Sequence, residues 1–347
     1  MHILYIGDNK SNSTSRHRAD ALSRLGHKVL VVDPYADLSR QLSHRFLGAL
    51  HYRSGYRLLQ YGMINWVNTL LQVHAANPTD LVWVNGGELL GHAVITKLRQ
   101  FNCPLILYMN DDPTGSRDGR RFDSLLKALS SYDLCAVVRN QNVTEFLQLG
   151  APKAFRVWMS YDEIIHQLLQ DSILIPLHFQ SEVAFVGTWM RNENRDQFML
   201  HLLERGLNIA IWGDRWQKSA YWPQLKNHWR GSSLSGQDYV SAIQGAKICL
   251  GLLSKGNRDL HTTRSMEIPY AGGLLCAERT TEHLELYCEN EEAVFWSDAQ
   301  ECAEKCLDLL AHPEKRERIR LAGMKRVLEN KVGNEDICQQ IITAAFQ

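Results

Sequence analysis

The sequence predicts an α/β protein with two Rossmann-like, doubly wound domains that face a cleft. Three observations support this fold class. The 347 residues suffice for about two domains at roughly 150 residues each. Short apolar segments alternate with helix-like segments, a pattern typical of parallel sheets covered on both faces. The alternation stops after Phe155 and restarts near residue 181, which indicates a second unit of similar size.

Ligands of open α/β sheets bind at the carboxyl ends of the strands, so the predicted strands indicate where a binding site lies. The apolar runs of the first domain are HILYIG, KVLVVD, DLVWVNG, PLILYM and DLCAVV, and those of the second are EVAFVGT, LNIAIWGD, KICLGLL, GGLLCAE and AVFWSD. Helices are predicted over 15–26, 89–101, 119–131, 313–328 and 334–346. We place the boundary between residues 158 and 181, giving domains 1–160 and 161–333, with helix 334–347 packing back on the first.

Composition excludes several classes of protein. Lys plus Arg and Asp plus Glu both number 38, so a chain dedicated to nucleic-acid backbones is disfavoured. No signal peptide and no transmembrane helix is expected, which predicts a cytoplasmic protein. The eight cysteines form no C-x-x-C pair and read as reduced, buried thiols. Cys302 and Cys306 share a helical face, but no further ligand accompanies them in the sequence, so we expect no metal site.

The loop after the first strand, G7-D-N-K-S-N-S-T-S-R-H-R18, is the first candidate for ligand contact. It lacks both G-x-G-x-x-G and the P-loop spacing, which disfavours a dinucleotide or Walker site. Gly7 permits close approach of a ligand. Acceptor contacts are predicted for Gly7, Asp8, Arg16 and His17. The alternative is a polar loop that leads into a helix capped by Ser13 or Ser15.

The loop after the fourth strand, N110-D-D-P-T114, offers two carboxylates. Adjacent residues of an extended segment point in opposite directions, so at most one of Asp111 and Asp112 is aimed at a substrate. Such a carboxylate binds a hydroxyl or accepts its proton. The alternative is an Asx turn stiffened by Pro113.

The second domain offers an anion site after its first strand, at G187-T-W-M-R-N-E-N-R195. A helix N-terminus and a guanidinium both favour a diphosphate, so Gly187, Arg191 and Arg195 are predicted donor contacts. After the next strand, W212-G-D-R-W216 places Gly213, a further predicted donor contact, and an aromatic residue in a loop. The aromatic ring either stacks on a nucleobase or packs in the core.

The most informative stretch is G256-N-R-D-L-H-T-T-R-S-M-E-I-P-Y-A-G-G273. A helix starting near Thr262 would collect an anion at its N-terminus, with Arg264 adding positive charge. A carboxylate such as Glu267 can accept hydrogen bonds from two vicinal hydroxyls. This arrangement suits a sugar nucleotide, and the predicted donor contacts here are Asp259, His261, Thr262, Thr263, Arg264 and Glu267. The alternative is a capped helix with an ordinary Gly ending.

The stretch D259-L-H-T-T-R-S-M-E-I-P-Y-A-G-G-L-L-C-A-E-R-T-T-E-H-L-E-L resembles the signature of CgeB-like (spore maturation protein-like) glycosyltransferases. That family is similar to the larger retaining group with the GT-B fold. The resemblance implies that the second domain binds the donor and the first the acceptor. It implies a ribose contact for Glu267 and a donor-sugar contact for Asp259, where the larger group has Glu. Arg195 matches one member of a basic diphosphate pair, and Arg264 is expected to replace the usual Lys.

Residues 38–79 contain no acidic residue, and the segment 40–66 combines arginines with aromatic residues. This segment predicts peripheral contact with anionic lipid at the inner face of the membrane, or recognition of a lipid-linked or anionic glycan acceptor. The alternative is a solvated helix pair with inward-facing aromatics.

Together these features predict a glycosyltransferase that moves a sugar from a nucleotide-diphospho-sugar to an acceptor hydroxyl, without a cofactor or metal and with retention. Asp259, Asp111, Asp112 and His17 are the predicted catalytic residues. The alternatives are a sugar-nucleotide epimerase or hydrolase, and a non-catalytic two-lobed carbohydrate- or nucleotide-binding protein.

Overall fold

The structure is a computed structural model that describes residues 1–74, 78–169 and 175–347. The chain forms two compact units. Unit 1 comprises residues 1–158, 256–258 and 334–347, and unit 2 comprises residues 159–255 and 259–333. Residues 75–77 of the acid-free interval and residues 170–174 of the predicted boundary segment lie outside the described residues. No helix in the described ranges has the length and apolar character needed to cross a bilayer.

Unit 1 is built on a six-stranded parallel sheet of order β2-β1-β3-β4-β5-β6. Its core fills the space between this sheet and the flanking helices. The elements in chain order are β1 (His2–Ile6), α1 (Thr14–Arg24), β2 (Lys28–Val32), α2 (Pro34–Asp37), α3 (Ser39–Leu42), α4 (Arg45–Arg53), α5 (Gln60–His74), β3 (Leu81–Asn85), α6 (His92–Leu98), β4 (Leu105–Met109), α7 (Asp123–Leu126), β5 (Leu134–Val137), α8 (Asn140–Gln148) and β6 (Ala154–Arg156).

Unit 2 repeats this plan with a second parallel sheet of order β12-β11-β10-β7-β8-β9. Its own core lies against the sheet. The elements are β7 (Ser181–Val186), α9 (Arg195–Glu204), β8 (Ile209–Trp212), α10 (Trp222–Leu225), β9 (Trp229–Gly231), α11 (Gly236–Gln244), β10 (Ala246–Gly251), α12 (Arg264–Tyr270), β11 (Leu275–Glu278), α13 (Thr281–Leu286), β12 (Val294–Trp296), α14 (Ala299–Ala311) and α15 (Pro313–Glu329).

The last helix, α16 (Asn334–Ala345), belongs to unit 1. It lies beside α1, where Arg24 Nε is 2.5 Å from Glu335 Oε1. Near its end the Lys153 ammonium donates to the Ala344 carbonyl at 2.8 Å. The chain therefore leaves unit 1, forms unit 2, and returns.

All ten predicted strands are present, and the sequence missed only the three-residue edge strands β6 and β9 among the described strands. The predicted helix over 119–131 is wrong: only Asp123–Leu126 is α-helical, followed by a 3₁₀ turn at Leu129–Ser131. Gly119 has a left-handed backbone (φ 57°), which is incompatible with a helix starting there. The helix predicted over 89–101 begins later, at His92, because Gly91 is extended.

Candidate active-site residues

A cavity of about 280 Å³ opens at the carboxyl edge of the unit 2 sheet, where open α/β sheets bind their ligands. Its lining comes from the loops after β7, β10, β11 and β12, so four separate strands position it. The lining residues are Asn192, Glu193, Asn194, Arg195, Phe198, Leu252, Leu253, Lys255, Glu278, Trp296, Ser297, Asp298 and Ala299.

Arg195 is the first residue of α9, and its side chain is buried beside this cavity. Its two terminal nitrogens donate to the Thr188 carbonyl at 2.9 Å and the Leu253 carbonyl at 3.0 Å. The guanidinium thus joins the loop after β7 to the loop after β10. Arg191, the other arginine predicted here, is exposed on the first of these loops.

Lys255 is a cation at this edge that the sequence did not single out. Its ammonium is 2.7 Å from the Glu278 carboxylate, and its side chain is 68% exposed, so it can turn toward a ligand. Its backbone N–H donates to Glu193 at 3.0 Å. Its position in the sequence could have identified it, because Lys255 lies between the apolar run of β10 and the G256-N-R-D259 turn.

Gly187 and Gly213 follow β7 and β8, and their backbones lie against each other. Gly213 has φ 149°, and a Cβ there would approach the Gly187 carbonyl oxygen to 2.1 Å. The Trp216 indole N–H donates to that same oxygen at 2.9 Å. Trp212 and Trp216 are fully buried, so the core-packing alternative holds for both aromatics.

The helix predicted near Thr262 is α12, and it begins at Arg264. Arg264 Nε donates to the Val186 carbonyl at 2.6 Å, which brings the guanidinium to the carboxyl end of β7. Thr262 donates its backbone N–H to Ser265 Oγ at 3.0 Å, and Thr263 occupies the N-cap position. Asp259 is buried just before this turn, with its N–H donating to the Ser254 carbonyl at 3.2 Å.

Glu267 lies in the first turn of α12, as predicted, and is enclosed by two side chains. The Tyr239 hydroxyl donates to Glu267 Oε2 at 2.7 Å, and His166 Nε2 is 3.7 Å from Oε1. Burial, followed by the negative charge of Glu267, raises the pKa of Tyr239 far above its ordinary value, so this hydroxyl stays a proton donor.

His261, a predicted donor contact, has both ring nitrogens engaged within unit 2. Its Nε2 accepts from the Met159 N–H at 3.1 Å, which fixes the Nδ1–H tautomer. That Nδ1 donates to Glu282 Oε2 at 2.5 Å, and both side chains are buried. The structure therefore indicates that His261 fixes the chain before α12. Both of its ring nitrogens are engaged within the protein, so neither is left to bind a nucleotide sugar.

At the carboxyl edge of unit 1, the loop after β1 begins at Gly7, where an added Cβ would lie 2.5 Å from Ser15 Oγ. Asp8 Oδ1 accepts from the Lys10 N–H at 3.0 Å. Arg16 pairs with Asp20 at 2.8 Å on the outer face of α1, and Ser13 caps that helix. His17 is buried, with Nε2 3.2 Å from the Ser11 carbonyl.

Asp112 is fully enclosed in unit 1 and is committed to an ion pair. Arg258 Nε lies 2.6 Å from Asp112 Oδ2, Arg258 Nη2 lies 2.6 Å from Oδ1, and Asn142 Nδ2 donates to Oδ1 at 2.8 Å. Arg258 also contacts Glu145 at 2.8 Å. Both carboxylate oxygens of Asp112 are therefore engaged within the protein, which leaves neither for the predicted acceptor contact. Asp111 is the remaining candidate of the pair.

Asp111 belongs to a charged cluster that sequence reasoning missed. Arg121 Nη1 lies 3.3 Å from Asp111 Oδ2, and Arg121 Nη2 lies 2.7 Å from the buried Glu88. Desolvation raises the pKa of Asp111, with Arg121 opposing and Glu88 adding to the rise. The N85-G-G-E88 segment after β3 could have identified Glu88, because two consecutive glycines predict a tight turn there. Gly86 and Gly87 both have positive φ.

Tyr35 connects this cluster to a second cavity at the same edge. The cavity has a volume of about 590 Å³ and is lined by Asn9, Lys10, Asp33, Tyr35, Ala36, Ser39, Leu42 and Ser43, from the segments after β1 and β2. Burial and a hydrogen bond to Glu88 raise the pKa of Tyr35 well above its ordinary value. Hydroxyl, carboxylate and guanidinium groups thus converge at the carboxyl ends of β2, β3 and β4.

The expectation that Cys302 and Cys306 lack a further ligand is wrong. β11 brings Cys276 to them, and the three sulfurs all lie within 4.8 Å of one another. The three thiols are fully buried. In the sequence, α13, β12 and the first turn of α14 lie between Cys276 and Cys302, so their proximity depends on how α14 packs on the sheet.

Residues 191–343, somewhat under half of the chain, match the family model described as Glycosyl transferase-like. No curated protein matches the sequence. Sucrose-phosphate synthase from Thermosynechococcus elongatus is similar in structure, with a TM-score of 0.72, 15% identity, and coverage of 99% of this chain and 98% of that one. Anabaena Alr3699/HepE in complex with UDP and glucose has a TM-score of 0.68 and 14% identity, with 99% of each chain covered. The α,α-trehalose 6-phosphate synthase from Burkholderia multivorans has a TM-score of 0.64 and 12% identity, covering 99% and 96%.

The fold prediction is confirmed: the chain has the GT-B architecture, an α/β fold with two parallel six-stranded sheets in Rossmann-like units. The family match places a glycosyl transferase-like segment over most of unit 2. It includes the predicted donor residues from Arg191 to Glu267.

Proposed function

We propose that this protein is a glycosyltransferase that moves a sugar from a nucleotide-diphospho-sugar to an acceptor hydroxyl. The observation that carries the proposal is the carboxyl edge of the unit 2 sheet. There Arg264, Arg195 and Lys255 lie in a segment that matches glycosyl transferase-like proteins. Two of the similar structures were solved with UDP-glucose or UDP and glucose, and one with UDP-2-fluoro glucose. We assign the chain to the CgeB-like branch on its 259–286 stretch.

The donor diphosphate would lie against the cations of unit 2. Arg264 and the exposed Lys255 offset its charge as the leaving group forms, the electrostatic task that a metal performs elsewhere. Arg195 holds the two flanking loops, and Arg191 supplies a further exposed cation. We therefore expect transfer without a metal ion. A trehalose-6-phosphate synthase with a similar fold is described as acting with retention, and we propose retention here.

Glu267 is the proposed ribose contact, and Asp259 the proposed donor-sugar contact. Tyr239 fixes one oxygen of Glu267, leaving the other to accept from a ribose hydroxyl after a small movement of His166. A shift of the side chain is needed because Glu267 is buried here. Asp259 precedes the helix start, where its carboxylate would reach sugar hydroxyls.

Unit 1 would bind the acceptor. Asp111 and Glu88, held by Arg121, offer carboxylate oxygens to an acceptor hydroxyl, and the cavity beside Tyr35 offers space for the rest of the molecule. The loop residues Gly7, Asp8, Arg16 and His17 remain proposed contributors at the same edge.

A thermal-shift screen of UDP-, GDP-, dTDP- and CMP-sugars tests the donor assignment. A ligand at 100 times its dissociation constant stabilises the folded state by about 2.7 kcal/mol. Glu267→Gln should abolish the shift produced by the correct donor, while Glu182→Gln, an exposed change in the same unit, should leave it intact. A Glu267→Gln protein with normal donor binding and normal turnover would refute the assignment.

We also propose peripheral contact with an anionic membrane through the segment 40–66. The α4 helix buries none of its residues. Phe46 and Tyr61 are each 78% exposed, while Tyr56 and Trp66 pack inward, so the segment is amphipathic. The segment itself contains no acidic residue, and Arg57 pairs with Asp123 outside it at 3.5 Å. The other arginines, Arg40, Arg45 and Arg53, favour anionic lipid and a lipid-linked acceptor.

Co-sedimentation with vesicles of anionic and of neutral lipid tests this contact. We expect binding to anionic vesicles that falls with added salt and is lost in a Phe46→Ser, Tyr61→Ser double variant. Leu177→Ser, at an 81% exposed apolar side chain of unit 2, is the matched control. Equal binding to neutral vesicles, or no binding at all, would contradict the proposal.

A further inference from the structure

The core of unit 2 holds a cluster of three thiols that the proposed transferase chemistry does not use. Cys276 lies on β11, and Cys302 and Cys306 lie one turn apart on α14. The three sulfurs are mutually within 4.8 Å, and all three side chains have no exposed surface. Thiols on facing elements therefore converge on one point.

The size of this triangle suits a single ion. Three sulfurs bound pyramidally to one centre at about 2.3 Å lie about 3.5 Å apart. Since the three sulfurs all lie within 4.8 Å of one another, each pair must approach by at most about 1.3 Å to reach that geometry.

Coordination number and charge narrow the class of ion. Thiolates select soft ions. Within the described part of the chain, the group contains no fourth His, Cys, Asp or Glu ligand, whereas structural zinc sites have four. The surroundings are apolar, with Ile248, Val294 and Leu309 in the same core, so a complex with net charge would be costly.

We propose that Cys276, Cys302 and Cys306 form a three-coordinate site for a soft trivalent metalloid of the arsenite class. Three S–H bonds and three As–OH bonds break, three As–S bonds form, and three water molecules leave. Arsenic stays trivalent, and the product is electrically neutral, as the apolar core requires. A divalent ion would instead release three protons and leave one negative charge.

The amino-terminal end of α14 borders a cavity close to the cluster along the helix. Asp298 and Ala299 line the 280 Å³ cavity at the carboxyl edge of the sheet. Cys302 lies one helical turn beyond Ala299, so a small neutral molecule such as arsenous acid in this cavity is within one turn of the first thiol.

Native mass spectrometry of the reduced full-length protein with added arsenite tests the proposal. We expect one adduct per chain, with the mass of one arsenic less three hydrogens, and no net proton release in weak buffer. Cys302→Ala and Cys306→Ala keep a strong helix former in α14 and should weaken binding by more than about 100-fold, the upper cost of losing an outer-shell partner. Cys276→Ala should do the same.

Cys249→Ala is the matched control, because Cys249 is buried on β10 of the same sheet and outside the cluster. Its arsenite binding should equal that of the wild type. No adduct, an adduct that retains an As–OH group, or binding that survives in Cys302→Ala would each overturn the proposal. Cadmium binding with release of three protons in preference to arsenite would overturn the charge argument on which it rests.

Discussion

Replacing Asp112 with asparagine isolates a buried charge interaction in unit 1. Asn has nearly the same shape but carries no charge. Its amide N–H₂ would face the guanidinium N–H groups of Arg258, now 2.6 Å from the carboxylate, so two donors would meet where a donor and an acceptor meet now. The substitution tests whether Asp112 is structural, because it leaves Asp111 and the rest of the carboxyl edge unchanged.

The expected cost follows from burial. Removing one partner of a buried ion pair destabilises by about 3–5 kcal/mol. Asp112 is completely enclosed, but Arg258 is 29% exposed and keeps Glu145, so we expect the lower end, about 3 kcal/mol. For a unit of this size, that corresponds to a fall of roughly 6–12 °C in the melting temperature.

The effect should also depend on pH. Burial alone would raise the pKa of Asp112, but hydrogen bonds from Arg258 and Asn142 hold it below its ordinary value. A depressed pKa contributes stability above the unfolded value, near 4, which is lost as the pH falls through the folded value. The difference between wild type and Asp112→Asn should therefore be full at pH 7 and shrink below about pH 4.

Differential scanning calorimetry of both proteins from pH 7 to pH 3 measures this difference. Glu182→Gln is the control, since its pair with Lys247 is exposed and worth at most about 1 kcal/mol. If Asp112→Asn lowers the melting temperature no more than Glu182→Gln does, the pair with Arg258 is not structural. Asp112 would then return as a candidate for acceptor contact.

Three further predictions concern unit 2. Burial lowers the pKa of His283 to about 4, so stability should fall from about pH 6.5 to pH 4 by about 3 kcal/mol, a slope that urea titration should find flattened in His283→Gln. Gly213→Ala forces a Cβ to 2.1 Å from a carbonyl oxygen and should cost at least about 3 kcal/mol, whereas Gly206→Ala, with positive φ but open space, should cost about 1–2 kcal/mol; equal urea midpoints would contradict the packing argument. Tyr239→Phe removes the donor to Glu267 and should raise the dissociation constant of the correct nucleotide sugar about tenfold, ~1.4 kcal/mol by calorimetry; an unchanged constant would show that Tyr239 does not orient the carboxylate.

The strands were predictable because parallel strands buried on both faces appear as short apolar runs. The two strands that the sequence missed, β6 and β9, have three residues each, include an arginine and are only half-buried. The three-residue strand β12 was predictable because all of its residues are apolar and buried. The 119–131 segment failed for a different reason. Its composition permits a helix, but the left-handed backbone at Gly119 and the packing of Phe122 and Leu125 into the core divide it into turns.

The local placement of the candidate residues on their elements was predictable, and their contacts were less so. Local spacing alone predicted a helix starting near Thr262 with Glu267 in its early turns, and α12 begins two residues later, at Arg264. The partners of His261 and Asp112 are distant in the chain: Met159 is 102 residues from His261, and Arg258 is 146 residues from Asp112. Such long-range pairings decide whether a polar group is free for a ligand, and spacing does not encode them.

The return of the chain to unit 1 has a consequence for biosynthesis. On a ribosome, every strand and helix of unit 2 is synthesised before α16, so unit 1 still lacks the helix that packs beside α1 when the sequence of unit 2 is complete. The apolar side chains that meet α16 in the finished protein, on α1 and β5, stay uncovered until synthesis reaches residue 345. A nascent chain stalled before that point would present this surface to chaperones, and shortening α16 would weaken the unit made first rather than the one that directly precedes it in the sequence.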